Sequence, residues 1–261
     1  MRKHVLIVLA LGALVAVSAV GIATAAGGEG PVTVKVGTLE LTANGGFTPK
    51  ALSKSKQTPI ELSAEGSVKE SDGSHPPAAR EIIIEGDKNA EIHVKGIPTC
   101  TSGKLQATDT AAALKACKPA LIGEGTTTAQ VAFAEQKPID VPTKLLLFNG
   151  GEKGGKITWY AHAYFSNPIS GAIVTTVTIT KHPNGPFGTL AVAKVPQITG
   201  GSGSIVSFNL NIKKSVKVGG KTINPISAKC TNGKLKVHVQ AKFEDGTKAE
   251  TEVVRACTPK G

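Results

Sequence analysis

The chain has 261 residues, a formal net charge of +11 and only 4% aromatic residues. That length holds one large β domain or two smaller ones, and the shortage of aromatics leaves Val, Ile, Leu and Ala to build the core. Beyond residue 25 the only arginines are Arg80 and Arg255. The positive charge is therefore lysine, which attracts polyanions but lacks the planar fork that selects phosphate or carboxylate, so specific nucleic-acid recognition is not expected.

Met1-Arg2-Lys3-His4 is followed by an uncharged apolar run over 5–22 and then by Ala23-Thr24-Ala25-Ala26-Gly27. A basic start, an apolar run and a small-x-small site read as a secretory signal peptide over 1–25. An uncleaved anchor is the alternative, because the run is long enough to span a bilayer. The alanine-rich end favours cleavage, which leaves 26–261 as the mature domain, with no membrane segment. The chain is thus expected to be secreted or associated with the cell envelope.

Period-two apolar alternation recurs at 32–41, 60–64, 81–85, 91–97, 129–134, 144–148, 156–165, 172–180, 189–195 and 204–212. Turn formers such as Asn44-Gly45-Gly46, Asp72-Gly73 and Asn149-Gly150-Gly151 separate these runs. Many short strands with such punctuation predict an all-β fold, an antiparallel β-sandwich or jelly roll. One short helix is expected over 109–117, with Asp109 as its N-cap. Stretches 53–58 and 69–77 read as loops. A sub-boundary could fall within 136–155, but nothing there is biased enough to be a linker.

The strand at 156–165 carries the one tryptophan and both tyrosines. Alternation puts Trp159, Ala161, Ala163 and Phe165 on one face and Tyr160, His162 and Tyr164 on the other. If the first face is core, the second is an outward row able to stack on a sugar ring, as in a carbohydrate-binding module or hydrolase accessory. The competing reading is a strand buried on both faces, with its polar tips satisfied internally. Further along, Leu235, Val237, Val239, Ala241 and Phe243 alternate with Lys234, Lys236, His238, Gln240 and Lys242. An Asp245-Gly246 turn and a return over 248–257 complete a predicted hairpin. Residues 204–261 hold 11 Lys and Arg against 4 Asp and Glu. Lys234, Lys236, Lys242 and Lys248 therefore form a candidate polyanion face, suited to an anionic cell-wall polymer.

Catalytic patterns fail on inspection. Gly150-Gly151-Glu152-Lys153-Gly154-Gly155-Lys156-Ile157 ends in Ile where a P-loop needs Ser or Thr for magnesium, and it leads into a strand. Val218-Gly219-Gly220-Lys221-Thr222 has Ser215 where the first glycine belongs. Gly200-Gly201-Ser202-Gly203-Ser204 misses the last glycine of a nucleophile elbow. The histidines are scattered singly, with no metal-ligand spacing. No catalytic residue, cofactor or metal is expected; only a site dispersed along the chain would escape such a reading.

Four cysteines allow three pairings. Cys100-Thr-Ser-Gly-Lys-Leu105 and Cys230-Thr-Asn-Gly-Lys-Leu235 are nearly one hexapeptide, each followed by a basic residue, alanine and a second cysteine, Cys117 or Cys257. That repetition predicts Cys100–Cys117 and Cys230–Cys257, whether or not it records a duplication. Bridged cysteines point to an oxidising compartment. The segment Gly96-Ile97-Pro98-Thr99-Cys100, Ala116-Cys117 with Leu121-Ile122-Gly123-Glu124-Gly125, and the closing Cys230/Cys257 pair resemble uncharacterised secreted two-disulfide β-sandwich proteins of Gram-positive actinobacteria. The resemblance implies export and a β fold, and no activity. The reading that combines these features is an exported, non-enzymatic structural or binding protein.

Overall fold

A computed structural model describes residues 21–24, 29–167, 170–182, 185–213 and 215–261. Its main sheet is built from β1 (Gly21–Thr24), β2 (Val32–Val36), β3 (Leu39–Thr48), β4 (Glu61–Glu70), β5 (Ala79–Asp87), β6 (Leu121–Val131) and β7 (Ile139–Lys153). It continues with β8 (Lys156–Phe165), β9 (Gly171–Lys181), β10 (Phe187–Lys194), β11 (Gly203–Ile212), β12 (Lys234–Phe243) and β13 (Lys248–Ala256). The spatial order is β1-β13-β12-β5-β10-β9-β8-β7-β6-β11-β4-β3-β2. Every pair is antiparallel except β1 with β13.

The two edges come back together, since β2 and β3 lie against β13. The sheet is therefore a nearly closed barrel, and the expected all-β antiparallel architecture takes this form instead of two stacked sheets. The sub-boundary considered at 136–155 coincides with β7, which is paired on both sides. Among the described residues no helix is long and apolar enough to cross a membrane. Most of the predicted signal peptide lies outside the described residues.

Parity decides which face points inward. Leu39 and Val68 pack with Ala241 and Phe243, although their strands are far apart in the sheet order. Their shared face has therefore curled round to meet itself, and the same parity puts Phe47, Leu147, Trp159, Ile179, Ile212 and Leu235 inside. Barrel diameter grows with strand number, and about eight strands already suffice for side chains to fill the interior. Here the inward belt is wider and its side chains are small. Ala43, Ala64, Ile84, Thr175, Ala193 and Val239 face inward yet remain only half-buried.

One end is stoppered. A small sheet of Thr58–Pro59, Ala90–Ile92 and Ile226–Ala228 lies there, and Leu52, Ile60, Val94, Ile97 and Ile226 pack onto the inward ends of the barrel strands. Cys230–Cys257, buried in that cluster, ties the stopper to the end of β13. The second disulfide, Cys100–Cys117, belongs to an excursion on the outer face. There α1 (Thr110–Cys117), capped by Asp109 Oδ1 accepting from the Ala112 N–H at 2.7 Å, covers Leu146 and Phe148 with Leu105, Ala113 and Ala120.

Two turns need glycine. Gly37, at φ 60°, splits the predicted run 32–41 into β2 and β3, and Gly246, at φ 88°, makes the expected Asp-Gly turn between β12 and β13.

Candidate functional site

The lysine face is present but largely neutralised. β12 pairs with β5 and β13, so its outward residues meet their acids by register: Lys242 lies opposite Glu81, and His238 opposite Glu85 and Glu252. Lys242 Nζ donates to Glu81 at 2.7 Å, and Lys236 Nζ to Glu252 at 3.3 Å. His238 Nδ1 is 2.7 Å from Glu85. The Lys242 ammonium holds the Glu81 carboxyl below its usual range. Lys234 and Lys248 remain exposed at opposite ends of the row. A mixed-charge face, not a continuous lysine stripe, covers this side of the barrel.

Tyr160, His162 and Tyr164 do share the outward parity, but they do not form one accessible row. The Tyr160 ring packs over Gly150 and against the Cys100–Cys117 cluster. His162 is 0% exposed, with Nε2 3.0 Å from the Thr108 carbonyl, which makes Nε2 the protonated nitrogen. Its Nδ1 is buried without a partner. Burial pushes the His162 pKa down, against a smaller upward pull from the Thr108 carbonyl. The excursion at 100–120 therefore seals the middle of the row, while Tyr164 reaches a groove at the open end of the barrel.

That open end offers two adjoining clefts. The inner one, about 170 Å³, is walled by inward-facing Ala129, Val131, Val141, Phe165 and Ile173, with Ile198 across it. The outer one, about 360 Å³, runs past Pro142, Thr143, Tyr164 and Asn167 to Asp140 and the exposed Ile139. Val141, Phe165 and Asn167 line both. The strands explain the geometry. β6, β7, β8 and β9 are neighbours; the first three reach this end of the barrel with an apolar inward residue and a polar outward one, and β9 adds inward Ile173.

A polar chain running from exposed Asp140 to buried Ser204 braces the rim. Asp140 Oδ1 accepts from Gln130 Nε2 at 2.9 Å, and Gln130 Oε1 lies 3.1 Å from His75 Nδ1. His75 Nε2 lies 3.2 Å from Ser204 Oγ, whose hydroxyl donates to the Pro76 carbonyl at 2.8 Å. Residues scattered in sequence thus converge as serine, histidine and amide. Ser204, however, is 0% exposed, and this arrangement ties the 71–78 loop to the barrel wall instead of presenting a nucleophile. Among the described residues, no three His, Cys, Asp or Glu side chains converge to hold a metal ion.

Sequence reasoning missed the open end, apart from Tyr164. Its one local signal was Ile139, Val141, Thr143 and Leu145 alternating through a run that also contains Pro142. The cleft needs four strand ends side by side, and no single segment records that. No protein-family model matches the chain, no curated protein is significantly similar to it, and no solved structure is either.

Proposed function

We propose that this is an exported, non-enzymatic binding protein that takes the apolar part of a small molecule into the open end of its barrel. The observation that carries this reading is the inner cleft, walled by side chains that face the barrel interior, with buried Ala129, Val131 and Phe165 at its floor and half-buried Val141 and Ile173 at its mouth. A closed apolar cavity of about 150 Å³ already admits a benzene-sized group, and concave apolar sites with a few polar groups at the rim are the usual form of a ligand pocket. The half-buried belt beyond the cleft offers further apolar surface in the same direction. Two disulfides fit a protein that works in an oxidising compartment.

The test is titration with N-phenyl-1-naphthylamine, a neutral apolar fluorophore. Saturable one-to-one binding is expected, and Ile173→Trp, which fills the cleft, should weaken it by about tenfold or more, equal to about 1.4 kcal/mol. The thermal midpoint should barely move, because Ile173 is only half-buried. Absence of saturable binding, or binding indifferent to both Ile173→Trp and Val141→Trp, would overturn the reading.

A further inference from the structure

Resting on that reading, we infer that the ligand is an amphiphile whose polar head carries hydrogen-bond donors, an ammonium best of all, and that Asp140 receives this head in the outer groove. The two clefts differ in chemistry although they share a wall. The inner one is lined by apolar side chains apart from Asn167, Ser170 and Gln197 at its edge. The outer one alternates apolar with polar residues, namely Thr143, Tyr164, Ser166 and Asn167 beside Pro142 and Ile139. A molecule lying across both must therefore be apolar at one end and polar at the other.

Charge chooses the kind of head. The chain as a whole is strongly basic, with a net charge of +11. Yet among the described residues the only acidic or basic side chain lining either cleft is an acid, Asp140. It is exposed, and one carboxylate oxygen takes the Gln130 amide at 2.9 Å, within the chain that runs through His75 to Ser204. The Gln130 contact holds the carboxylate beside the groove, and among the described residues no side-chain donor reaches its second oxygen, Oδ2. A carboxylate is an acceptor only, so its natural partner is a donor-bearing head and an anionic one is repelled.

The local acid and the global charge predict opposite preferences, which makes the inference decidable. The full chain, after export, is loaded with N-phenyl-1-naphthylamine at pH 7.5, and the fluorophore is displaced by two ligands with one ten-carbon chain, decylammonium and decyl sulfate. Decylammonium is expected to compete about tenfold more strongly, the sum of a modest attraction and a modest repulsion at an exposed carboxylate. Asp140→Asn keeps the acceptor for Gln130 and should collapse that ratio towards one.

Decyl sulfate competing equally or better, as the overall charge dictates, would overturn the inference while leaving the apolar site intact. So would a ratio unchanged by Asp140→Asn. If the fluorophore itself fails to bind the unaltered protein, both the site and its head-group preference fall. Should the variant not fold, the order of the two ligands on the unaltered protein still decides.

Discussion

At His162, alternation put an imidazole on the outer side of the sheet and was right about the side, but the excursion at 100–120 then buried it. No period in the sequence announces that a distant loop will lie on a given strand. The chemistry left behind is a neutral ring whose Nε2–H is spent on Thr108 and whose Nδ1 sits in a dry place. Adding a proton there is costly, so the folded pKa lies below that of the unfolded chain. The unfolded state then binds the extra proton first. Stability from this group is complete above about pH 6.5 and is lost as pH falls towards the lower folded value. Thermal midpoints measured from pH 7.5 down to 5 should fall, and His162→Phe should remove part of that fall. Equal slopes in the two proteins would refute the assignment. Tyr160 teaches the same lesson more mildly: its ring finds Gly150, where an added methyl would sit 2.7 Å from the ring.

Elements whose signals are local were legible. The β12–β13 hairpin, the strand at 156–165 and the helix capped by Asp109 follow from alternation, an Asp-Gly turn and a cap residue. β6 was mostly missed, because Gly123, Gly125 and three threonines blur its alternation, and β3 was merged with β2 across Gly37. The cysteine pairs were legible through the repeated hexapeptide, but their different duties were not. Cys230–Cys257 sits in the main interior cluster, whereas Cys100–Cys117 sits in a satellite on the outer face. By loop closure the two are worth about 3.6 and 3 kcal/mol. Replacing Cys230 and Cys257 by Ala should lower the global Tm by roughly 7–14 °C for a domain of this size. Replacing Cys100 and Cys117 should instead free 100–120 to open locally, which raises its amide hydrogen exchange more than it lowers Tm. A uniform rise in exchange across the barrel in the second variant would show that the excursion is not a separate unit.

For the whole molecule, the undetermined quantity was closure. Alternation fixes which side chains share a face, but a sandwich and a barrel have the same alternation, and strand number and order are not local properties. Arg255 shows how closure is achieved. β2 pairs with β3 only from Leu39 to Ala43. Just beyond it, the buried Arg255 guanidinium on β13 reaches across to the Gly45 carbonyl, to Gly30 O at 3.0 Å and to Asn44 Oδ1 at 2.6 Å. Asn44 in turn donates to Glu65, which also accepts from Asn209 at 2.8 Å, so one fork stitches the seam to β4 and β11. Lysine cannot span several acceptors with one rigid plane. Arg255→Met should cost about 3 kcal/mol through the acceptors left unpaired, roughly 6–12 °C in Tm. Arg255→Lys should recover only part of that in calorimetry, and full recovery would mean that charge alone holds the seam. The stopper has a consequence of its own. On the binding reading proposed above, a ligand held at the open end is backed by the stoppered one, so an occupant must leave before a successor arrives. Exchange is then paced by departure alone, whatever the crowd waiting outside.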